Sequence, residues 1–253
     1  AQDMKTAFNR HFYNSEKQYY GNNTVTANLL PLAFDLVPAE ARKGVEENVQ
    51  KTLLETYGGT MATGVIGGSW LMRELTAMGR GDIAFLLAST TKQPSWGYML
   101  TKGATTIWEL WNGDTAAPSM NSGNHVMLLG DLLIWCFENL AGISSDTEQV
   151  AYKRIVMKPD FGIADLNFIN ASYKTPYGLV VSNWKKSEGS LDWSIKVPAN
   201  SSALVYLPVV RKKNIKESDR PIGSSRTIRY LGTENNGTLI ELGSGEYHFN
   251  VQL

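Results

Sequence analysis

The sequence predicts an α domain followed by a β domain. Three observations carry that expectation. Apolar residues recur at helical spacing through residues 1–143. From about residue 145 the period drops to two, in short runs separated by turn residues. The exchange falls at the polar stretch SSDTEQ, residues 144–149, so the domains are expected at 1–145 and 146–253.

The helices are justified in turn. MKTAFNRHF sets Met4, Ala7, Phe8 and Phe12 on one face. TVTANLLPLAFDLV does the same with Val25, Leu29, Leu32, Ala33 and Leu36, and Pro31 marks a kink or a boundary. The next helix starts at Pro38, suited to a first turn, and stops at Gly58 and Gly59. SWLMRELTAMGRG stops at Gly79, and GDIAFLLAST is a shorter helix. NHVMLLGDLLIWCFENLAGI reads as one long helix, apolar on most faces and therefore buried. Asn121, Ser122 or Asn124 is placed to cap it. Helices joined by short Gly/Pro loops suggest an all-α array. Beyond them, RIVMKP, GLVVSNW, LDWSIKVP, ALVYLPV, TIRYLG, TLIELG and EYHFNVQL read as strands, with SEGS, PANSS, ENNG and GSGE as turns. That spacing predicts a β-sandwich.

Composition narrows the function. The 253 residues carry 24 Lys plus Arg and 24 Asp plus Glu, a net charge of zero. No basic excess points to nucleic acid, and no apolar stretch approaches the ~20 residues that a membrane helix needs. A neutral partner such as a sugar fits, and seven Trp and eleven Tyr suit stacking on it, although such rings more often serve a core. The single Cys136, in LLIWCF, reads as an inert buried thiol. No Walker loop, GxGxxG after a strand, HExxH, CxxC or GxSxG occurs. His11, His125 and His248 show no metal-ligand spacing, so no metal or cofactor is expected.

That leaves GATTIWELWNGD, residues 103–114, where Trp108 and Trp111 bracket Glu109 and Asp114 closes the run. Proteins hold sugars with aromatic faces and polar groups, and carboxylates perform acid/base work at the anomeric carbon. In an extended segment Glu109 shares a face with Trp111, which makes Trp111 the stacking candidate. The competing reading is an exposed Glu on a loop whose tryptophans pack inward. His125, just after SMNSGN, is either a donor to a ligand hydroxyl or a capping residue.

PSWGYML, GATTIWELW, SMNSGNH and GDLLIWCFENLAGI together resemble the C-terminal part of the bacterial α-L-rhamnosidases of glycoside hydrolase family seventy-eight. TANLLPLAFDLVPAEARKGVEENV and TGVIGGSWLMRELTAMGRGDIAFLL agree upstream, and RIVMKPDF and VPANSSALVYLP agree downstream. Leu110 stands where the family commonly has Arg, and an extra SG lengthens the loop before Asn124 and His125.

The resemblance implies the second half of an (α/α)6 barrel followed by a C-terminal antiparallel β-sandwich. It implies inverting hydrolysis of terminal α-L-rhamnosides in a glycoside or polysaccharide, without cofactor, metal, nucleic acid or membrane. Glu109 is then the general base and His125 a sugar contact, with Trp111, Trp108 and Asp114 completing the substrate-binding set. The family's general acid lies upstream, in a segment with no counterpart here, so the chain is expected to be a fragment that dimerises, rearranges or depends on the missing N-terminal half. A periplasmic or extracellular site is expected for the parent. Two other readings stay open: a non-catalytic carbohydrate-binding piece, and another helical-barrel carbohydrate enzyme.

Overall fold

The computed structural model describes residues 1–224, 227–234 and 236–253. Asn235, inside the predicted ENNG turn, lies outside the described residues. Helices come first and sheets follow, in two compact units, Ala1–Leu133 and Ile134–Leu253.

In the first unit the helices are α1 (Gln2–Phe12), α2 (Val25–Ala33), α3 (Ala39–Lys51), α4 (Val65–Gly68), α5 (Leu71–Ala77), α6 (Gly81–Ser89) and α7 (Trp96–Thr101). A small hairpin, β1 (Tyr13–Asn14) with β2 (Tyr19–Tyr20), joins α1 to α2. Thr24 starts α2 by accepting a hydrogen bond from the Ala27 N–H. Pro31 does not bound this helix, which runs on to Ala33. The unit buries Val25, Leu29 and Leu32 of α2, Val45 and Val49 of α3, Leu71, Met72 and Leu75 of α5, and Ile83 and Leu87 of α6. These stripes follow the helical period; α1 departs from it, for none of its predicted face of Met4, Ala7, Phe8 and Phe12 is buried, and Met4 and Phe12 are exposed.

The expectation of one long buried helix over 124–143 is overturned. The chain makes a 3-10 turn at Val126–Leu129, a left-handed residue at Gly130, a four-residue helix α8 (Leu132–Trp135) and a wide π turn at Cys136–Leu140. Val126, Met127, Leu133 and Ile134 stay exposed. The cause is tertiary. Gly130 lies against α4 so closely that a Cβ there would sit 2.2 Å from the Gly68 carbonyl oxygen. The next residue, Asp131, is fully buried and caps α5 from outside that helix. Its carboxylate accepts from the Met72 N–H at 3.2 Å and the Arg73 N–H at 3.1 Å, and pairs with the Arg73 guanidinium at 3.3 Å. A helix start needs such acceptors for its unpaired donors. A continuous helix through residue 131 would carry the carboxylate away from them.

The second unit holds two sheets. One has the order β10 (Arg220–Pro221), β9 (Ile215–Glu217), β13 (Gly245–Gln252), β7 (Ser190–Val197), β6 (Gly178–Ser187), β5 (Phe168–Thr175), antiparallel throughout. The other has the order β11 (Ile228–Glu234), β12 (Gly237–Leu242), β8 (Ser202–Leu207), β4 (Arg154–Met157), β3 (Ile143–Ser145). Against the all-antiparallel expectation, β4 runs parallel to β8. The long connection between them, which carries β5, β6 and β7, lets β8 return in the same direction as β4. Strict alternation along β7 turns Leu191, Trp193, Ile195 and Val197 into one core with Trp184, Ile155, Val205, Ile240 and Phe249. Cys136, expected to be buried, is half-buried, and burial pushes its thiol pKa up.

One buried polar group sits inside that core. Ser182 donates to the Ala141 carbonyl at 2.6 Å and accepts from the Trp193 indole N–H at 3.0 Å. Ser182→Ala leaves both partners unsatisfied in an apolar surrounding. It is expected to destabilise the sheet unit by about 1–3 kcal/mol, measured by chemical denaturation. A loss below about 0.5 kcal/mol would show that water or repacking replaces the hydroxyl.

Candidate functional site

The run from Thr105 to Asn124 contains no helix except the short turn Pro118–Met120. Its shape is held by contacts to α7 and by a second segment, 121–125, lying alongside it. Ser95 caps α7 through the Tyr98 N–H at 2.9 Å and is itself fixed by donating to the Thr90 carbonyl. That cap sets Trp96 and Tyr98 on α7. Trp96 is buried and donates its indole N–H to the Leu128 carbonyl at 3.0 Å.

Trp111 packs edge-on to Trp96, ring centroids 5.8 Å apart, and donates its own indole N–H to the Thr63 carbonyl at 2.9 Å. Trp108 packs over the backbone at Gly113, where a Cβ would come within 2.8 Å of its ring. The segment is therefore not the extended strand from which a shared face for Glu109 and Trp111 was inferred. It turns from Glu109 onward, because Gly113 admits the Trp108 ring against the main chain.

Glu109 lies on this turn, half-buried. Its N–H donates to the Ser122 carbonyl at 2.9 Å, and its Oε2 accepts from the Ser122 N–H at 2.9 Å. Among the described residues its carboxylate makes no other hydrogen bond. One oxygen is held and the other is available.

Asn121, Ser122 and Asn124 do not cap a helix; the turn at Val126 starts at His125 without a side-chain cap. Asn121 instead accepts from the Leu110 N–H at 3.1 Å and donates to the Gly113 carbonyl at 3.4 Å. The Thr106 hydroxyl donates to the Gly123 carbonyl, and the His125 N–H donates to the Ile107 carbonyl at 2.7 Å. His125 thus lies beside the Trp108–Glu109 segment. Its Nδ1 is buried and has no hydrogen-bond partner among the described residues.

Asp114 is engaged by protein. Tyr98 donates its hydroxyl to Asp114 Oδ2 at 2.7 Å, and the Lys102 ammonium lies 3.9 Å from the same oxygen. Sequence reasoning missed Tyr98 and Lys102, although the PSWGYML run that contains Tyr98 was in view. The bond to Asp114, with desolvation and the carboxylate's charge behind it, raises the Tyr98 pKa from 10.0. A raised pKa in the folded state means that this contact contributes fully below pH ~10 and is lost as pH climbs through the raised value. In an alkaline spectrophotometric titration, Asp114→Asn should therefore make one phenol ionise earlier than in the wild type. An unchanged titration would remove the contact from the account.

Among the described residues no group of three or more His, Cys, Asp or Glu could hold a metal ion, and no helix is long and apolar enough to cross a membrane.

Comparison with known proteins adds independent findings. The profile of the bacterial α-L-rhamnosidase six-hairpin glycosidase domain matches residues 1–140, and that of the bacterial α-L-rhamnosidase C-terminal domain matches residues 142–220. An α-L-rhamnosidase of Streptomyces avermitilis is 28% identical over 253 residues, covering 98% of this chain and 23% of its own length. One from Formosa agariphila is 31% identical over 254 residues, covering 97% of this chain and 27% of its own. Among solved structures, the S. avermitilis α-L-rhamnosidase complexed with L-rhamnose superposes with a TM-score of 0.87 at 27% identity, over 99% of this chain and 24% of that one. The α-L-rhamnosidase of Dictyoglumus thermophilum superposes with a TM-score of 0.88 at 28% identity, over 100% of this chain and 28% of that one. The chain spans about a quarter of the length of these relatives.

Proposed function

From the chain's membership of the bacterial α-L-rhamnosidase family, we propose that it is part of an inverting glycosidase that removes terminal α-L-rhamnose. The helical part of the chain before β3 then contributes the second half of a helical (α/α)6 catalytic barrel, and the sheets from β3 onward form a C-terminal β-sandwich. Glu109 is the general base.

One observation carries the assignment. Glu109 is a carboxylate with one oxygen tied to a backbone N–H and the other free, on a turn packed by two tryptophans. Inversion requires a base that takes a proton from water as the water attacks the anomeric carbon, while an acid across the ring protonates the departing oxygen. The free oxygen of Glu109 does the first. The Ser122 N–H steadies the carboxylate and keeps it oriented through the step. The acid is supplied by polypeptide outside these residues.

His125, held beside the Glu109 turn by its N–H to the Ile107 carbonyl, is the sugar contact. Trp111 and Trp108 form the apolar wall. Trp111 has already given its indole N–H to Thr63, so its ring offers a sugar only its face and edge. Asp114, held by Tyr98 and Lys102, contributes through whatever acceptor capacity those contacts leave.

The test compares this chain with a polypeptide extended at its N-terminus, on a nitrophenyl and an alkyl α-L-rhamnoside. The extended protein should hydrolyse both. The chain alone should leave the alkyl rhamnoside intact, because an alkoxide leaves poorly without a proton. Hydrolysis of the alkyl substrate by the chain alone would mean that its acid is among these 253 residues.

A further inference from the structure

The turn that carries Glu109 is fastened on two flanks, and the fastenings differ in kind. On the N-terminal flank, Thr106 binds the Gly123 carbonyl and the His125 N–H binds the Ile107 carbonyl. On the C-terminal flank, a single side chain makes both ties. Asn121 receives the Leu110 N–H on its amide oxygen and gives its amide N–H to the Gly113 carbonyl. These contacts close residues 110–113 immediately after Glu109. The neighbour of Asn121, Ser122, holds the Glu109 backbone and carboxylate in a two-bond ring.

We propose that Asn121 is a positioning residue for Glu109. By gripping both ends of the 110–113 turn it fixes where Ser122 stands relative to the carboxylate, and so which oxygen faces the attacking water. The inference rests on the reading of Glu109 as the base. The residue type suits the geometry, since a neutral side-chain amide carries its acceptor and its donor on two separate atoms and can meet both backbone groups at once. Asp would keep the acceptor and lose the donor; Ala would lose both. A base acts only within hydrogen-bond reach of the proton it takes, and a displacement of about 1 Å costs on the order of 100-fold in rate. The contacts on the other flank survive the loss of Asn121, so the loop should loosen locally without unfolding.

The experiment uses the intact polypeptide that contains this chain, with Asn121→Ala, Asn121→Asp and Glu109→Gln beside the wild type, on an alkyl α-L-rhamnoside. Asn121→Ala should lower kcat by about 10–100-fold with KM within about threefold. Asn121→Asp should recover part of that loss, because it still accepts from the Leu110 N–H. A merely structural defect would lower the active fraction and leave Asp no better than Ala. Hydrogen exchange supplies a readout besides turnover: in Asn121→Ala the amides of Glu109, Leu110 and Ser122 should exchange at least about tenfold faster, with those of α3 unchanged. Wild-type kcat in Asn121→Ala beside an inactive Glu109→Gln would overturn this proposal alone, as would unaltered exchange at those three amides. Wild-type turnover by Glu109→Gln would overturn the base assignment and this proposal together.

Discussion

Glu109→Gln in the intact polypeptide is expected to cut turnover of α-L-rhamnosides by about 10²–10⁴-fold, the range that a lost general base commands. The fold should be untouched. Gln retains a carbonyl oxygen for the Ser122 N–H and nearly the volume of Glu, so the turn packed by Trp108 and Trp111 has no reason to move. What it lacks is an oxygen that can take a proton from water. The effect should fall on kcat, since the substitution leaves the aromatic wall and His125 in place. It should also be independent of leaving group: a nitrophenyl rhamnoside relieves the need for an acid and leaves the need for a base. Turnover within tenfold of the wild type would sink the assignment.

The largest stability effect is expected at Asp131, to which the sequence assigned no role. Its carboxylate is fully buried, accepts two backbone N–H groups at the start of α5, and faces Arg73. Asp131→Ala removes the acceptor of all three donors in one step. Breaking a buried pair from one side costs about 3–5 kcal/mol, because the remaining groups lose water without gaining a partner. Asp131→Asn keeps one acceptor oxygen and loses the charge; its cost should be smaller, about 1–3 kcal/mol. The measurement is hydrogen exchange against denaturant over residues 65–90, which reports the helical unit separately from the sheets. Equal stability of Asp131→Ala and the wild type would mean that α5 finds another cap.

Much of this is legible in the sequence. The change of hydrophobic period near residue 145 is a direct record of which faces must be buried. Five of the helices and seven of the strands coincide with runs chosen on that ground alone. The strand FINASYKT was missed because it is an edge strand with few buried positions, so burial left no alternation to read. The 124–143 segment was misread for the opposite reason. Its composition is apolar throughout, and an apolar run does not say where it will break.

The site divides along the same line. Glu109 between two tryptophans, and His125 after an Asn-rich loop, could be picked from the chain because each is an unusual residue for its local surroundings. Tyr98 and Asp131 could not, and Asn121 could be read only as a helix cap, since each acts through a partner distant in sequence. Asn121 lies 11 residues from the amide it receives, Tyr98 lies 16 from the carboxylate it meets, and Asp131 lies 59 from one of the donors it caps.

The sequence by itself therefore determined the order of helices before sheets, the faces that α2, α3, α5, α6 and the central strands bury, and the carboxylate that carries the proposed chemistry. Those depend on hydrophobic period and local residue type, which are written along one strand of chain. The tertiary structure alone decided the break at Gly130, the capping of α5 by Asp131, the parallel pairing of β4 with β8 and the grip of Asn121 on the Glu109 turn. Each needs a donor and an acceptor, or two backbones, brought together from separate stretches. Which of many polar residues finds which partner is fixed only when the apolar faces have packed.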